Sequence, residues 1–321
     1  VALATYNGAP YLPELFDSLR GQTVGDFEVV VTDDASTDGT AELLREYAEK
    51  DSRFGYSINE KRLGFIKNFE RAVSRCRGEL IALCDQDDVW LPQKLDRLAR
   101  GLEGAFLVAS DAEIVDEQLR LKGHRLAQIY DLEHREHAFR SVLQRNRYTG
   151  CTMMMRRELA QRALPFPKHL PHDWWLVILA MDSGGFRFLS EVLTLYRQHE
   201  QNVIGASELH EDLWLKLRDR IVQSTDDNIR YHSRRYLRFK ELSQLAIDRG
   251  LNAEHRRLID EQLEFHRSFF ASVLRPGAFA TAFRNLRAVG FHDSAPAELG
   301  KLVKALVGLG RPDLLPFEEN E

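Results

Sequence analysis

Short apolar runs alternate with amphipathic segments along the first part of the chain. Val1–Thr5 reads as a strand, and PYLPELFDSLRGQ as a helix with Leu12, Leu15, Phe16 and Leu19 on one face. FEVVVT is nearly continuous in apolar residues, as in a strand buried on both faces. STDGTAELLREYAEK opens on capping residues and continues as a helix. RFGYSI predicts a further strand, GFIKNFERAVSRC a helix carrying Phe65, Phe69 and Val73, ELIALC a strand and LPQKLDRLARGLE a helix. This β-α-β-α order predicts an α/β fold: a mainly parallel, Rossmann-like sheet with helices on both faces.

The alternation then loosens. FLVAS and CTMMM read as strands, DWWLVILAMDS as a helix, and FRFL and VLTLYRQH as two late strands. From about Glu208 the pattern is helical and charged, in LHEDLWLKLRDRIVQ, YHSRRYLRFKELSQLAIDRG, AEHRRLIDEQLEFHRSFFASVL and shorter helices after Pro276. A boundary near Gly205 divides a catalytic-type domain, 1–205, from a helical region, 206–321. No internal repeat is visible, and the acidic tail FEENE is the longest biased segment.

Composition leaves that picture intact and excludes several classes. The 321 residues are 44% hydrophobic and 29% charged, ordinary for a globular chain with a sizeable core. A net charge of −5 argues against a general polyanion binder. Cys76, Cys84 and Cys151 form no C-x-x-C pair, which suits a reducing cytosol better than a disulfide framework or a zinc site. No apolar stretch reaches the ~18 residues of a membrane span. The expected location is cytoplasmic. Val1 already lies in a strand pattern, so a short preceding piece is expected.

The candidate chemistry sits at strand ends. ELIALC runs directly into Asp85, Asp87 and Asp88, three carboxylates within four positions that repel one another. TDDASTD places Asp33 and Asp34 after the second strand. Ligands of open α/β sheets lie beyond the carboxyl ends of strands, so both groups are expected to face one crevice. A strand-end D-x-D holds a divalent cation through hard oxygen ligands, which would offset the repulsion. The competing reading is turn and cap chemistry: Asp88 alone reads best as a cap for the helix beginning near Leu91, and Asp33 as a turn residue.

The set TYNGAPYL, VVVTDDASTDGT, KRLGFIKNFERAV, DQDDVW, PHDWWLVIL and LYRQHEQNVIG, in this order, resembles the family 2 nucleotide-sugar glycosyltransferases of GT-A fold. The resemblance covers about Val1 to Gly205. DQDDVW with HDWW and YRQHEQNVIG is most similar to bacterial rhamnosyltransferase-like members that build surface polysaccharides. Ala35 departs from the glycine common at its position.

The resemblance implies roles for individual residues. Ala4, Tyr6, Asp34, Lys67, Asn68 and Asp85 would line the donor site, with Tyr6 packing on the base and Asp34 accepting a hydrogen bond from it. A solvated helix face is an equal reading for Lys67 and Asn68. Asp85, Asp87 and His199 would hold Mg2+ or Mn2+ on the donor diphosphate. Gly150, Cys151 and Trp174 would lie on the acceptor side, the Met153–Met155 run being core. Asp173 would be the base of an inverting transfer from a nucleoside-diphosphate sugar, dTDP-rhamnose above others, to a glycan or lipid-linked acceptor. Its competing reading is a cap for the helix WWLVILAM.

Other classes have specific requirements. A nucleotidyltransferase would show a glycine-rich basic loop after the first strand, a dinucleotide-binding dehydrogenase G-x-G-x-x-G there, and a serine hydrolase G-x-S-x-G; TYNGAPYL and the rest of the chain show none. A non-catalytic scaffold acting through the tail stays open. RYHSRRYLRFK sets Arg230, Arg234, Arg235, Arg238 and Lys240 among Tyr231, Tyr236 and Phe239. It reads first as a helix packing its aromatics on the catalytic domain or on a second subunit of a homodimer. Its second reading is a basic surface peripheral to an anionic membrane leaflet.

Overall fold

A computed structural model describes residues 1–132, 138–199 and 225–274, the side chains of the last stretch from His232 to Ser268. The chain separates into two compact units, Val1–Ser207 and Glu208–Glu321. The expected helices around LHEDLWLKLRDRIVQ and after Pro276, the side chains of Arg230 and Tyr231, and the Gly205 boundary lie outside the described residues.

In the first unit, β1 (Ala2–Thr5), β2 (Val29–Asp33), β3 (Phe54–Ile58) and β4 (Leu80–Asp85) are parallel neighbours in the order β3-β2-β1-β4. Between them run α1 (Leu12–Arg20), α2 (Thr40–Lys50) and α3 (Phe65–Arg75). The apolar face of α1 is fully buried with Leu3, Val29 and Val31 in the main core, so the helical period set which face meets the sheet. Beyond β4 the sheet continues through β8 (Met153–Arg156), β6 (Leu107–Val115), β9 (Phe186–Arg197) and the two-residue β5 (Val89–Trp90). β8 is antiparallel to both its neighbours, β9 is parallel to β6, and β7 (Leu121–Arg125) hangs antiparallel on β6.

The helices of this half are α4 (Lys94–Gly101), α5 (Leu126–Tyr130), α6 (Phe139–Gln144), α7 (Arg157–Ala163) and α8 (His172–Asp182). α8 is buried on nearly every side. Two expected strands, FRFL and VLTLYRQH, are one: β9 runs through Ser190 and Glu191, and register shifts opposite Asp111 absorb the polar break that reads as a boundary. β5, β7 and the short helices α5–α7 had no readable period.

The second unit is described as two long helices, α9 (Thr225–Asp248) and α10 (Ala253–Leu274). They pack on each other through Phe239, Leu242, Ile259 and Phe265, with a His232–His266 contact of 2.9 Å between Nδ1 atoms. Arg235, expected on a basic surface, is 8% exposed and its guanidinium lies 5.1 Å from the Phe239 ring. The basic string is thus divided between hairpin core and surface, where Arg234 and Lys240 stand exposed. Among the described residues no helix is long and apolar enough to cross a membrane.

Candidate active site

The ends of β1, β2 and β4 form one rim. Ala4 pairs in register with Asp85 and with Thr32. Gln86, the middle residue of the D-x-D, turns back to β1: its Oε1 accepts the Tyr6 N–H at 2.8 Å and its Nε2 donates to the Tyr6 carbonyl at 3.0 Å. A Cβ on Gly8 would come within 2.4 Å of that amide, so a larger residue there would displace the Gln86 side chain. Gln86 therefore locks Tyr6 to the acid turn, a function its sequence context did not signal.

The acids after β2 are scaffold. Asp33 accepts from the Thr5 and Ser36 hydroxyls and the Ser36 N–H, as the turn reading expects. Asp34 is 2% exposed; Oδ1 accepts from Asn59 Nδ2 and the Leu63 N–H, and Oδ2 from the Gly64 N–H, at 2.7–3.0 Å. Most of its acceptor capacity thus holds the 59–64 loop, and its expected contact with a base competes with that work.

Two donor-side expectations change. Asn68 is neither a donor contact nor a solvated residue: it is 2% exposed, its Nδ2 donates to the Thr5 and Thr32 carbonyls, and its Oδ1 accepts from Asn59. It ties α3 to β1 and β2 because buried amides must be satisfied. Lys67 takes the solvated reading, paired with Glu70 one helical turn on at 2.7 Å.

After β4 the side chains of the acid turn diverge. Asp85 ends the strand half-buried. Asp88 is fully buried, its Oδ1 accepting the Arg197 N–H at 3.1 Å and its Oδ2 without a hydrogen-bond partner. Asp88 is therefore not a helix cap; α4 begins at Lys94 behind Gln93. Ligand atoms of Asp85, Asp88 and Cys151 lie within 4.8 Å of one another. Asp87 points elsewhere, its Oδ2 2.9 Å from His199 Nε2, and the His199 ring stacks on Tyr11 at 4.5 Å. The expected metal set of Asp85, Asp87 and His199 is thus divided, and Asp88 takes the place beside Asp85.

Burial and like charges shape this cluster. Burial, then Asp88, Asp87 and Asp173, push the Asp85 carboxyl well above its usual range. Burial and then Asp87 raise Asp88 to about 7. Beneath them lies Lys94, fully buried, donating to the Cys151 carbonyl at 2.6 Å and the Thr194 hydroxyl at 2.7 Å, with its ammonium 3.8 Å from the Trp90 ring center. Burial brings it down to about 8. It shares the buried face of α4 with Leu95, Leu98 and Gly101, where a lysine breaks the apolar stripe and its charge gives no local sign of burial. Two carboxylates with an unpartnered oxygen fit a hard divalent cation; a neutral buried thiol does not add to such a set.

Asp173 stands in the first turn of α8, where Pro171 and not Asp173 is the capping residue. Burial raises it to about 6, against hydrogen bonds from the Trp174 N–H, the Asn146 side chain and the Gly150 N–H. A Cβ on Gly150 would sit 3.5 Å from the Asp173 Cβ, so the two residues are direct neighbours. Cys151 and Trp174, expected on the acceptor side, are turned into the core. Cys151 is fully buried under the acids, and Trp174 is 4% exposed with its indole N–H on the Val142 carbonyl. His172, beside them, is pushed down to about 3 by burial and stacks on Phe69 at 4.2 Å.

The family model described as glycosyl transferase family 2 matches residues 1–164. The putative glycosyltransferase EpsH of Bacillus subtilis is 28% identical over 212 residues, which are 63% of this chain and 61% of EpsH. TuaG of the same organism, a putative teichuronic acid biosynthesis glycosyltransferase, is 31% identical over 126 residues, 36% of this chain and 50% of TuaG. An uncharacterised protein of Mycobacterium tuberculosis is 28% identical over 206 residues; the match spans 58% of its length. Among solved structures, Staphylococcus aureus TarS 1–349 in complex with UDP-GlcNAc superposes with a TM-score of 0.59 at 18% identity, over 95% of this chain and 80% of TarS 1–349. That likeness shows the fold.

Proposed function

The chain belongs to glycosyl transferase family 2, and on that premise we propose that it is an inverting, cation-dependent transferase. It moves a sugar from a nucleoside-diphosphate donor to a hydroxyl of a glycan or lipid-linked acceptor. The observation that carries this reading is the pairing of a buried carboxylate cluster, Asp85 and Asp88, with a separate carboxylate, Asp173, close enough to raise Asp85 further. The name of TuaG supports a place in cell-surface polysaccharide synthesis.

Asp85 and Asp88 would hold Mg2+ or Mn2+, with Asp87 and His199 at the next position along the turn. A bound cation would neutralise charge on a leaving diphosphate. Asp173 takes the proton of the attacking hydroxyl. Its raised pKa of about 6 leaves it ionised at neutral pH and still basic enough to act. Gly150 and Asn146 hold the carboxylate in place. Tyr6 would pack on the base. The DQDDVW, HDWW and YRQHEQN strings support dTDP-rhamnose as donor.

The test is nucleoside diphosphate release from a panel of nucleotide sugars, with Mn2+ or with chelator, in the presence of glycan acceptors. No release from any donor overturns the transferase reading. A thermal-shift panel addresses the sugar, since a ligand of the native state raises apparent stability; stabilisation by uridine-linked sugars and not by dTDP-rhamnose overturns the donor assignment. For the second unit, exposed Arg234 and Lys240 support a peripheral contact with anionic lipid. Equal sedimentation with anionic and neutral liposomes would refute it.

A further inference from the structure

With Lys67 paired to Glu70 and Asn68 buried, the expected donor-side helix start offers no uncommitted cation. Another side chain does. Arg62 is exposed, and its guanidinium lies 4.0 Å from the center of the Tyr6 ring. No carboxylate among the described residues pairs with it; the ring is its partner.

Both members of this stack are held by the backbone beneath them. Gln86 takes both the N–H and the carbonyl of Tyr6. Asp34 takes the N–H groups of Leu63 and Gly64, the two residues directly after Arg62, and the Asn59 amide three residues before it. Tyr6 is two residues past Ala4, which pairs with Asp85. These hydrogen bonds thus present an exposed guanidinium at the rim, over the ring beside the acid turn. A planar five-donor guanidinium matches phosphate oxygens two at a time. A cation–π contact at an exposed site is weak, so exchange for a phosphate contact is favourable.

We infer that Arg62 is an anion-recognising arm of the donor site, which leaves the Tyr6 ring to contact the diphosphate of a bound nucleoside diphosphate. The inference rests on the nucleotide-sugar reading above. It also gives the buried Asp34 a positioning role: Asp34 aims the loop, and Arg62 makes the contact.

The test compares wild type, Arg62→Gln and Arg62→Lys in binding UDP and dTDP by calorimetry with Mg2+ present. The uncharged nucleosides uridine and thymidine are followed by ligand-observed NMR, and folding by thermal melt. Arg62→Gln is expected to weaken both diphosphates at least tenfold, to leave nucleoside binding within twofold and to flatten the salt dependence. Arg62→Lys, which keeps charge but loses the fork, is expected to fall between. Arg62→Gln that binds diphosphates within twofold of wild type refutes the inference while leaving the transferase reading intact. An equal loss for diphosphates and nucleosides also refutes it, since Arg62 would then serve only the ring. Wild-type protein that binds neither diphosphate overturns the donor reading and this inference together.

Discussion

The acids after β2 and the acids after β4 lie on adjoining parts of one sheet rim and are treated in opposite ways. Asp33 and Asp34 each accept three hydrogen bonds from their own chain. Asp88 has a bare Oδ2, and Asp85 is driven up by burial and by three other acids. A fully satisfied buried network makes a rigid frame; a partly satisfied one is costly unless something completes it. Two groups that look alike in sequence are thus a frame and a poised site.

The sharpest way to break the comparison is Asp173→Asn. Turnover is expected to fall by ~10²–10⁴, the usual share of acid–base catalysis, with nucleoside diphosphate affinity nearly unchanged. In wild type the acid limb of the rate profile should lie near pH 6, where Asp173 gains its proton. A folded Asp173→Asn protein that keeps its rate would move the base elsewhere.

Asp34→Ala strikes the frame. It leaves two backbone N–H groups and the Asn59 amide short of acceptors, with an expected loss of about 2–4 kcal/mol in urea unfolding. A change under ~0.5 kcal/mol would deny Asp34 its framing role.

Asp88→Asn should act in the opposite sense on the cation-free protein. Burial and the neighbouring Asp87 push Asp88 up to about 7 in the folded protein, against 3.8 for an ordinary aspartate. Between those values the native state binds more protons than the unfolded one, so Asp88 makes stability fall as pH rises through about 4 to 7. Asp88→Asn should flatten that decline, melt higher than wild type at neutral pH and lose cation binding. Asp87→Asn should perturb cation binding less. Melts in chelator across this range, with Mn2+ calorimetry, check both; a lower neutral-pH melting point for Asp88→Asn would contradict the like-charge account.

Ala35→Gly is the smallest test of the frame. Ala35 has φ +58° in the turn between Asp34 and Ser36, a conformation that strains an L side chain. A gain of about 0.5–1 kcal/mol is expected, without change in nucleotide affinity. Destabilisation would mean that the alanine methyl packs too well to lose.

The periodicities carried much of this. Leu12, Leu15, Phe16 and Leu19 at helical spacing, and unbroken VVV and LIALC runs, determined the β-α alternation, because one buried face per helix and two per inner strand leave a local record. That record also placed Asp33, Asp34 and Asp85 at strand ends, and the first-turn position of Asp173 followed from the helix beside it. What the tertiary structure decided was which polar groups remain unsatisfied. Asp88 meets a backbone N–H at Arg197, distant in sequence on β9, while Asp87 reaches His199. Asn68 is spent on β1 and β2, Trp174 on α6, and Lys94 sinks beneath the acids. Local spacing determines the face on which a side chain leaves the backbone; its hydrogen-bond partners, and therefore its charge, come from chain segments that only the folded sheet brings together.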